Sequence, residues 1–139
     1  MAHAMILVAD DDPDIVDVVS RRLQAGGYAT MSASSGREAT LLAMSTAPDL
    51  AILDISMPGG DGHAVANYLL ANENTRCMPI IFLTARTSNE DIQSAYGAGA
   101  IRYMTKPFDS EDLLRTVAQA LNCTRRLPEL PRTGRDKAA

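Results

Sequence analysis

Three short apolar runs constrain this chain most: Met5-Ile6-Leu7-Val8-Ala9, Leu50-Ala51-Ile52-Leu53 and Pro79-Ile80-Ile81-Phe82-Leu83. None is interrupted by a polar side chain, so each reads as a strand buried on both faces. Strands of that kind end at the carboxyl edge of a sheet, where open α/β folds place their chemistry. Asp54 closes the second run, and Asp10 and Asp11 follow the first. If these strands are parallel neighbours, three carboxylates converge at one edge. Such an arrangement is unfavourable unless a cation or a proton neutralises it. The sequence therefore asks for a metal ion beside Asp54.

The segments between the runs carry helical signals. Asp12-Pro13 reads as an N-cap with proline at the first helical position, followed by Ile15, Val18, Val19 and Leu23 as an apolar stripe. Gly26-Gly27 stops that helix, and residues 28–33 can form a second strand. Ser35 and Glu38 form a capping box that opens a helix through Ala39, Leu42 and Ala43. After Asp54, Met57-Pro58-Gly59-Gly60-Asp61-Gly62 is a turn-rich loop, and a helix is expected from about His63 to Ala71. The third apolar run ends at Thr84 as a fourth strand. Ser88 can cap a helix through Ile92 and Ala95 that closes at Gly97 and Gly99. A fifth strand from Ile101 to Met104 ends near Lys106-Pro107, and Asp109 caps a last helix with Leu113, Leu114, Val117, Ala120 and Leu121 inward. Five βα units in series predict an α/β fold with a doubly wound parallel sheet and helices on both faces.

The 139 residues suit one domain, and no stretch is long enough to span a bilayer. The N-terminus lacks the pattern of an export signal, so a cytoplasmic protein is expected. Cys77 and Cys123 fit no zinc motif and read as reduced thiols, while His3 and His63 read as incidental surface residues. The net charge of -4 is unevenly spread. From Arg125 onward five basic residues face two acidic ones, a net of +3, which leaves -7 on residues 1–124. An acidic body argues against direct nucleic-acid binding. Residues 123–139, basic and containing Pro128 and Pro131, read as a flexible tail or linker after a domain spanning 5–122.

The polar residues at the strand ends form a chemical set. Magnesium prefers oxygen ligands, few carboxylates and octahedral geometry. Asp11 and Asp54 can supply side-chain oxygens, Asp10 can hold the ion directly or through water, and the backbone carbonyl of Ser56 can complete the protein's share. Carboxylate oxygen is a competent nucleophile toward phosphorus and gives an acyl phosphate. The transferring group needs positive charge and hydrogen-bond donors around its oxygens. Lys106 can serve as the point charge and the Thr84 hydroxyl as a donor. No Gly-rich nucleotide-phosphate loop is present, so ATP is not the obvious donor.

These residues carry a resemblance. Ile6-Leu7-Val8-Ala9-Asp10-Asp11-Asp12-Pro13, Leu53-Asp54-Ile55-Ser56-Met57-Pro58-Gly59-Gly60-Asp61-Gly62, Ile81-Phe82-Leu83-Thr84-Ala85, Gly97-Ala98-Gly99-Ala100 and Tyr103-Met104-Thr105-Lys106-Pro107-Phe108 succeed one another in order and spacing. Over about residues 5–122 the chain resembles the receiver domain of bacterial two-component response regulators. That resemblance implies a five-stranded sheet of flavodoxin-like order 2-1-3-4-5. It implies that Asp54 is a phosphoacceptor, supplied by a histidine kinase or a His-phosphotransfer protein. Asp10 and Asp11 would be the acidic pair for Mg2+, with Mn2+ as an alternative ion. Thr84 would be the switch hydroxyl, Lys106 its partner at the phosphate with a cis bond to Pro107, and Tyr103 the switch aromatic. The output would be a protein–protein contact with a downstream protein or a fused effector domain, with no direct nucleic acid or membrane contact.

Departures from the family pattern also bear on function. The segment before Tyr103 is usually acidic in this family and here reads Ile101-Arg102, which puts the common transcription-factor dimer pattern in doubt. Ser56 and Arg86 occupy positions that tune the phosphate lifetime in relatives. Two other functional classes compete with the switch. A turnover hydrolase with Asp54 as nucleophile would favour a second Asp two residues on, where this chain has Ser56. A pseudo-receiver that binds partners without phosphate is disfavoured by the complete set of Asp10, Asp11, Asp54, Thr84 and Lys106. The sequence names no kinase, output or oligomeric state.

Overall fold

In the computed structural model, residues 3–55, 57, 62–84, 101–106 and 108–126 are described. Five strands form one parallel sheet: β1 (Met5–Ala9), β2 (Ala29–Ala33), β3 (Leu50–Asp54), β4 (Ile80–Thr84) and β5 (Ile101–Thr105). Their order is β2-β1-β3-β4-β5, as the resemblance implied. The described helices are α1 (Pro13–Ala25), α2 (Gly36–Thr46), α3 (Gly62–Ala71) and α4 (Ser110–Arg126). The helix expected between Ser88 and Gly99 lies outside the described residues. So do Ser56, Ala85, Arg86, Pro107 and residues 127–139.

Alternation along each buried strand divides its side chains between two cores. Leu7, Ala51, Leu53, Ile80 and Phe82 pack beneath Ala39 and Ala43 of α2 and Val65, Ala66 and Leu69 of α3. Ile6, Val8, Leu50, Ile52, Ile81 and Leu83 pack beneath Val19 and Leu23 of α1 and Leu113 and Val117 of α4. Each fully buried Leu, Ile or Phe stabilises the fold by roughly 1.5–3 kcal/mol. β3 is buried along its whole length because it lies at the centre of the sheet and both faces are covered.

The caps expected at Asp12, Ser35 and Asp109 form. Asp12 accepts from the Asp14 N–H at 2.9 Å, and Asp109 accepts from the Asp112 N–H at 2.8 Å. The Ser35 hydroxyl accepts from the Glu38 N–H at 3.1 Å. Glu38 reaches back one residue further than a simple capping box, to the Ser34 N–H at 2.8 Å. Two expectations change. Val18 is 41 % exposed, because the inward stripe of α1 runs through Ile15, Val19 and Leu23 at four-residue steps. The last helix continues to Arg126, so the boundary expected at 122/123 falls inside it. Cys77 is an exposed free thiol. Among the described residues no helix is long and apolar enough to cross a membrane.

Two backbone positions place opposite demands on a Cβ atom. Gly62 begins α3 against the end of β3: a Cβ there would lie 2.6 Å from the Asp54 carbonyl oxygen and 3.0 Å from Ile55 Cα. Ala47 ends α2 in the left-handed region at φ 50°. Opposite signs are therefore expected on urea unfolding. Gly62→Ala lowers stability by about 1–3 kcal/mol through overpacking. Ala47→Gly raises it by about 0.5 kcal/mol, since glycine lacks the Cβ penalty in that conformation but gains freedom in the unfolded chain.

Candidate functional site

The strand register that pairs Ala9 with Leu53 carries the chain on to Asp10 and Asp54 as neighbours at the carboxyl edge. Both continue the alternation of side chains that face α1 and α4. Asp10 is 1 % exposed and Asp54 6 %. Asp11, at the entrance to α1, is exposed. Carboxylate oxygens of the three lie within 4.8 Å of one another.

A buried carboxylate needs partners, and Asp10 has them on both oxygens. Oδ1 accepts from the Asp12 N–H at 3.0 Å, and Oδ2 accepts from Lys106 Nζ at 3.0 Å. Lys106, one residue past β5, also approaches Asp54 Oδ1 at 3.6 Å. Burial acts most strongly on the Lys106 pKa and pushes it down. The hydrogen bond to Asp10 and the charges of Asp10 and Asp54 together outweigh burial, so the ammonium titrates above its ordinary value. The stability it contributes is therefore fully present below the ordinary lysine range and is lost as pH rises through the raised value.

Among the described residues, one ammonium faces three carboxylates, an excess of negative charge. The donors are hard oxygens, with no His or Cys in the group, which fits a small hard divalent cation. A groove of about 590 Å³ runs from Asp10 and Asp11 along α1 and β2, lined farther out by Ser20, Gln24 and Thr30. Asp54 and Lys106 are not among its walls, so the chemistry belongs to the carboxylate pocket beside it.

The structure thus brings together Asp10, Asp11, Asp54 and Lys106 of the expected set. Thr84 ends β4 in register with Thr105, but its side chain is not among those described. Ser56 and the Lys106–Pro107 bond also lie outside the described residues. Tyr103 is half-buried and stacks on Phe82, with centroids 5.4 Å apart and planes at 25°. The expectation of a surface His63 is corrected: it is half-buried and meets Phe82 edge-on, at 5.2 Å and 86°. The physical reason is its place three residues before Ala66 on α3, where it shares the flank of the inward stripe. That spacing is present in the sequence, but a single polar residue at a helix start gives no sign of which way the helix turns.

Comparison with known proteins places these features in a family. The response regulator receiver domain model matches residues 6–118. The DNA-binding dual master transcriptional regulator RpaA of Synechocystis is 40% identical over 124 residues, which is 89% of this chain and 52% of that protein. The chemotaxis response regulator CheY4 of Vibrio cholerae superposes with a TM-score of 0.79 at 34% identity, covering 86% of this chain and 99% of that one. The receiver domain of sensor histidine kinase PA1611 from Pseudomonas aeruginosa, solved with a magnesium ion coordinated in its active site cleft, gives a TM-score of 0.79 at 30% identity, covering 87% and 99%. The chain spans about half the length of several curated relatives it matches.

Charge excess in the pocket sets two opposite expectations for thermal unfolding in a chelator. Asp11→Asn relieves repulsion at an exposed position and stabilises by about 1 kcal/mol, roughly 3–6 °C in Tm. With Asp11 as a magnesium ligand, the gain shrinks or reverses in millimolar magnesium; an undiminished gain there argues against that role. Lys106→Met leaves Asp10 buried without its cation and destabilises by about 2 kcal/mol.

Proposed function

The chain belongs to the response regulator receiver family, the phosphorylation-controlled switches of two-component signalling, and we propose that Asp54 is its phosphoryl acceptor. The observation that carries this reading is the cluster of Asp10, Asp11 and Asp54 at one strand edge, with Lys106 reaching both buried carboxylates. Asp10 is tied on both oxygens at 3.0 Å, whereas the Lys106 contact to Asp54 is looser at 3.6 Å. Asp54 closes the central strand beside Asp11, with the Lys106 ammonium within reach of a phosphoryl group on its oxygen.

An Asp54 carboxylate oxygen attacks the phosphorus of a phosphohistidine. The new O–P bond forms as the P–N bond breaks, and the imidazole of the donor leaves with that electron pair. Lys106 already lies between Asp10 and Asp54 and can turn its ammonium to a phosphoryl oxygen without leaving Asp10 far behind. Thr84, at the end of the adjacent strand, is the proposed hydroxyl donor to another oxygen. Asp11, Asp54 and the Ser56 carbonyl, with Asp10 directly or through water, would hold a magnesium ion, which would supply neutralising charge at the phosphoryl group. The magnesium in the PA1611 receiver supports that choice of ion, and manganese is an alternative with the same preference for oxygen.

The new dianion is then the signal. It competes for Lys106 and Thr84, and Tyr103 responds to the rearrangement at the end of β4. We place the donor among histidine kinases and His-phosphotransfer proteins, and the output in contact with a downstream protein or a fused effector domain. The reading includes loss of the phosphate at the same site, no turnover of small molecules, and a cytoplasmic setting. The acidic body supports protein contact over nucleic-acid contact.

Intact-mass measurement after incubation with acetyl phosphate and magnesium tests the chemistry. One added phosphoryl group is expected on the wild-type chain, and none in Asp54→Asn or in the presence of a chelator. A full mass gain in Asp54→Asn, or release of free phosphate from generic esters with no gain, would overturn the assignment.

A further inference from the structure

The proposed acceptor and the proposed switch aromatic belong to opposite sides of the sheet. Asp54 continues the alternation of Leu50 and Ile52, which face α1 and α4, whereas Tyr103 packs with the core beneath α2 and α3. A signal between them must pass around a strand end or through a chain of contacts. The junction between β3 and α3 offers such a chain. Gly62 donates its N–H to the Ile55 carbonyl at 2.8 Å and leaves no room for a Cβ against the Asp54 backbone. The next residue, His63, sets its ring edge-on to Phe82 at 5.2 Å, and Phe82 stacks with Tyr103 at 5.4 Å. Phe82 itself is fully buried at the centre of this trio.

We infer that His63 is a positioning residue for Tyr103: its ring holds Phe82 in the orientation on which Tyr103 stacks, coupling the β3–α3 junction at Asp54 to the switch face. The inference rests on reading Asp54 as the acceptor and Tyr103 as the reporter of its state, and it adds a route beside the one through Thr84. Aromatic pairs favour edge-on and offset-stacked geometries because of their ring quadrupoles, so a ring at 63 constrains Phe82 in a way an aliphatic side chain does not. In a close-packed interior, a change in the tilt of Phe82 cannot be absorbed without moving what lies against it. Continuity of contact is not by itself coupling, so coupling is the quantity to measure.

The experiment is fluorine NMR of the full chain labelled with 3-fluorotyrosine. The Tyr103 resonance is assigned by its loss in Tyr103→Phe, and Tyr28 and Tyr68 serve as internal references. Spectra are recorded at rest and with magnesium and beryllofluoride. His63→Leu, which keeps bulk but removes the ring, is expected to displace the resting Tyr103 resonance toward the beryllofluoride position. The ratio of the two ring positions should change roughly two- to tenfold. Phe82→Leu produces a displacement in the same direction, and His63→Phe restores the wild-type position. An unmoved Tyr103 resonance in His63→Leu, with only a lower urea midpoint, reduces His63 to a packing residue and overturns the inference. An equal displacement in His63→Phe overturns it as well. If the wild-type resonance ignores beryllofluoride, the switching reading fails separately, and the resting comparison still decides whether His63 positions Tyr103.

Discussion

The ion pair between Lys106 and Asp10, 3.0 Å long and dry on the aspartate side, ties the end of β5 to the end of β1 across the two strands between them. A parallel sheet aligns all its carboxyl edges, and this chain has placed acidic residues at two of those ends. Without a cation, the alignment that gives the sheet its hydrogen bonds would also concentrate repulsion at one rim. Lys106 offsets part of that repulsion and remains protonated because two carboxylates face it. Burial of Asp10 is tolerable only because both of its oxygens are satisfied.

The same arrangement bears on the phosphoryl chemistry proposed for Asp54. Among the described residues a single ammonium faces three carboxylates, a mismatch that a divalent cation would relieve. Lys106 is shared between a short contact to Asp10 and a longer one to Asp54. A group added to Asp54 therefore meets a cation already nearby, and only a small movement is needed to change its allegiance. Preorganised charge of this kind costs little reorganisation at the moment of transfer.

Much of this is legible in the sequence, for a physical reason. Strands buried on both faces leave uninterrupted apolar runs, and the residue that breaks the run must lie at the rim; Asp10 and Asp54 stand out that way. Caps at Asp12, Ser35 and Asp109 are equally visible because local hydrogen bonds need specific side chains at fixed offsets. Orientation is what the sequence hides. Val18 fits a helical stripe as well as Ile15 does, and only the rotation of α1 on the sheet exposes it. His63 looks like a surface residue because its burial depends on how α3 leaves the β3 loop, which Gly62 decides by lying against the Asp54 backbone. The last helix outruns its apolar stripe because its final turn is polar in sequence yet still helical along the backbone.

The two-faced core sharpens what a switch in this fold must do. Alternation within β3 sends Asp54 toward one helical layer while Leu53 packs in the other. Likewise β5 sends Met104 and Tyr103 to opposite sides. A change in charge at Asp54 is thus felt first on the α1–α4 side, yet Tyr103 belongs to the α2–α3 side. Strand interiors cannot transmit it by sliding, because each register is fixed by buried side chains on both faces. A signal from Asp54 to Tyr103 would then pass at the strand ends, where backbone leaves the ladder, or along contacts between side chains there. Of the described junctions, the one between β3 and α3 is in contact with both partners: its backbone is that of Asp54, and its second helical residue touches the ring on which Tyr103 lies.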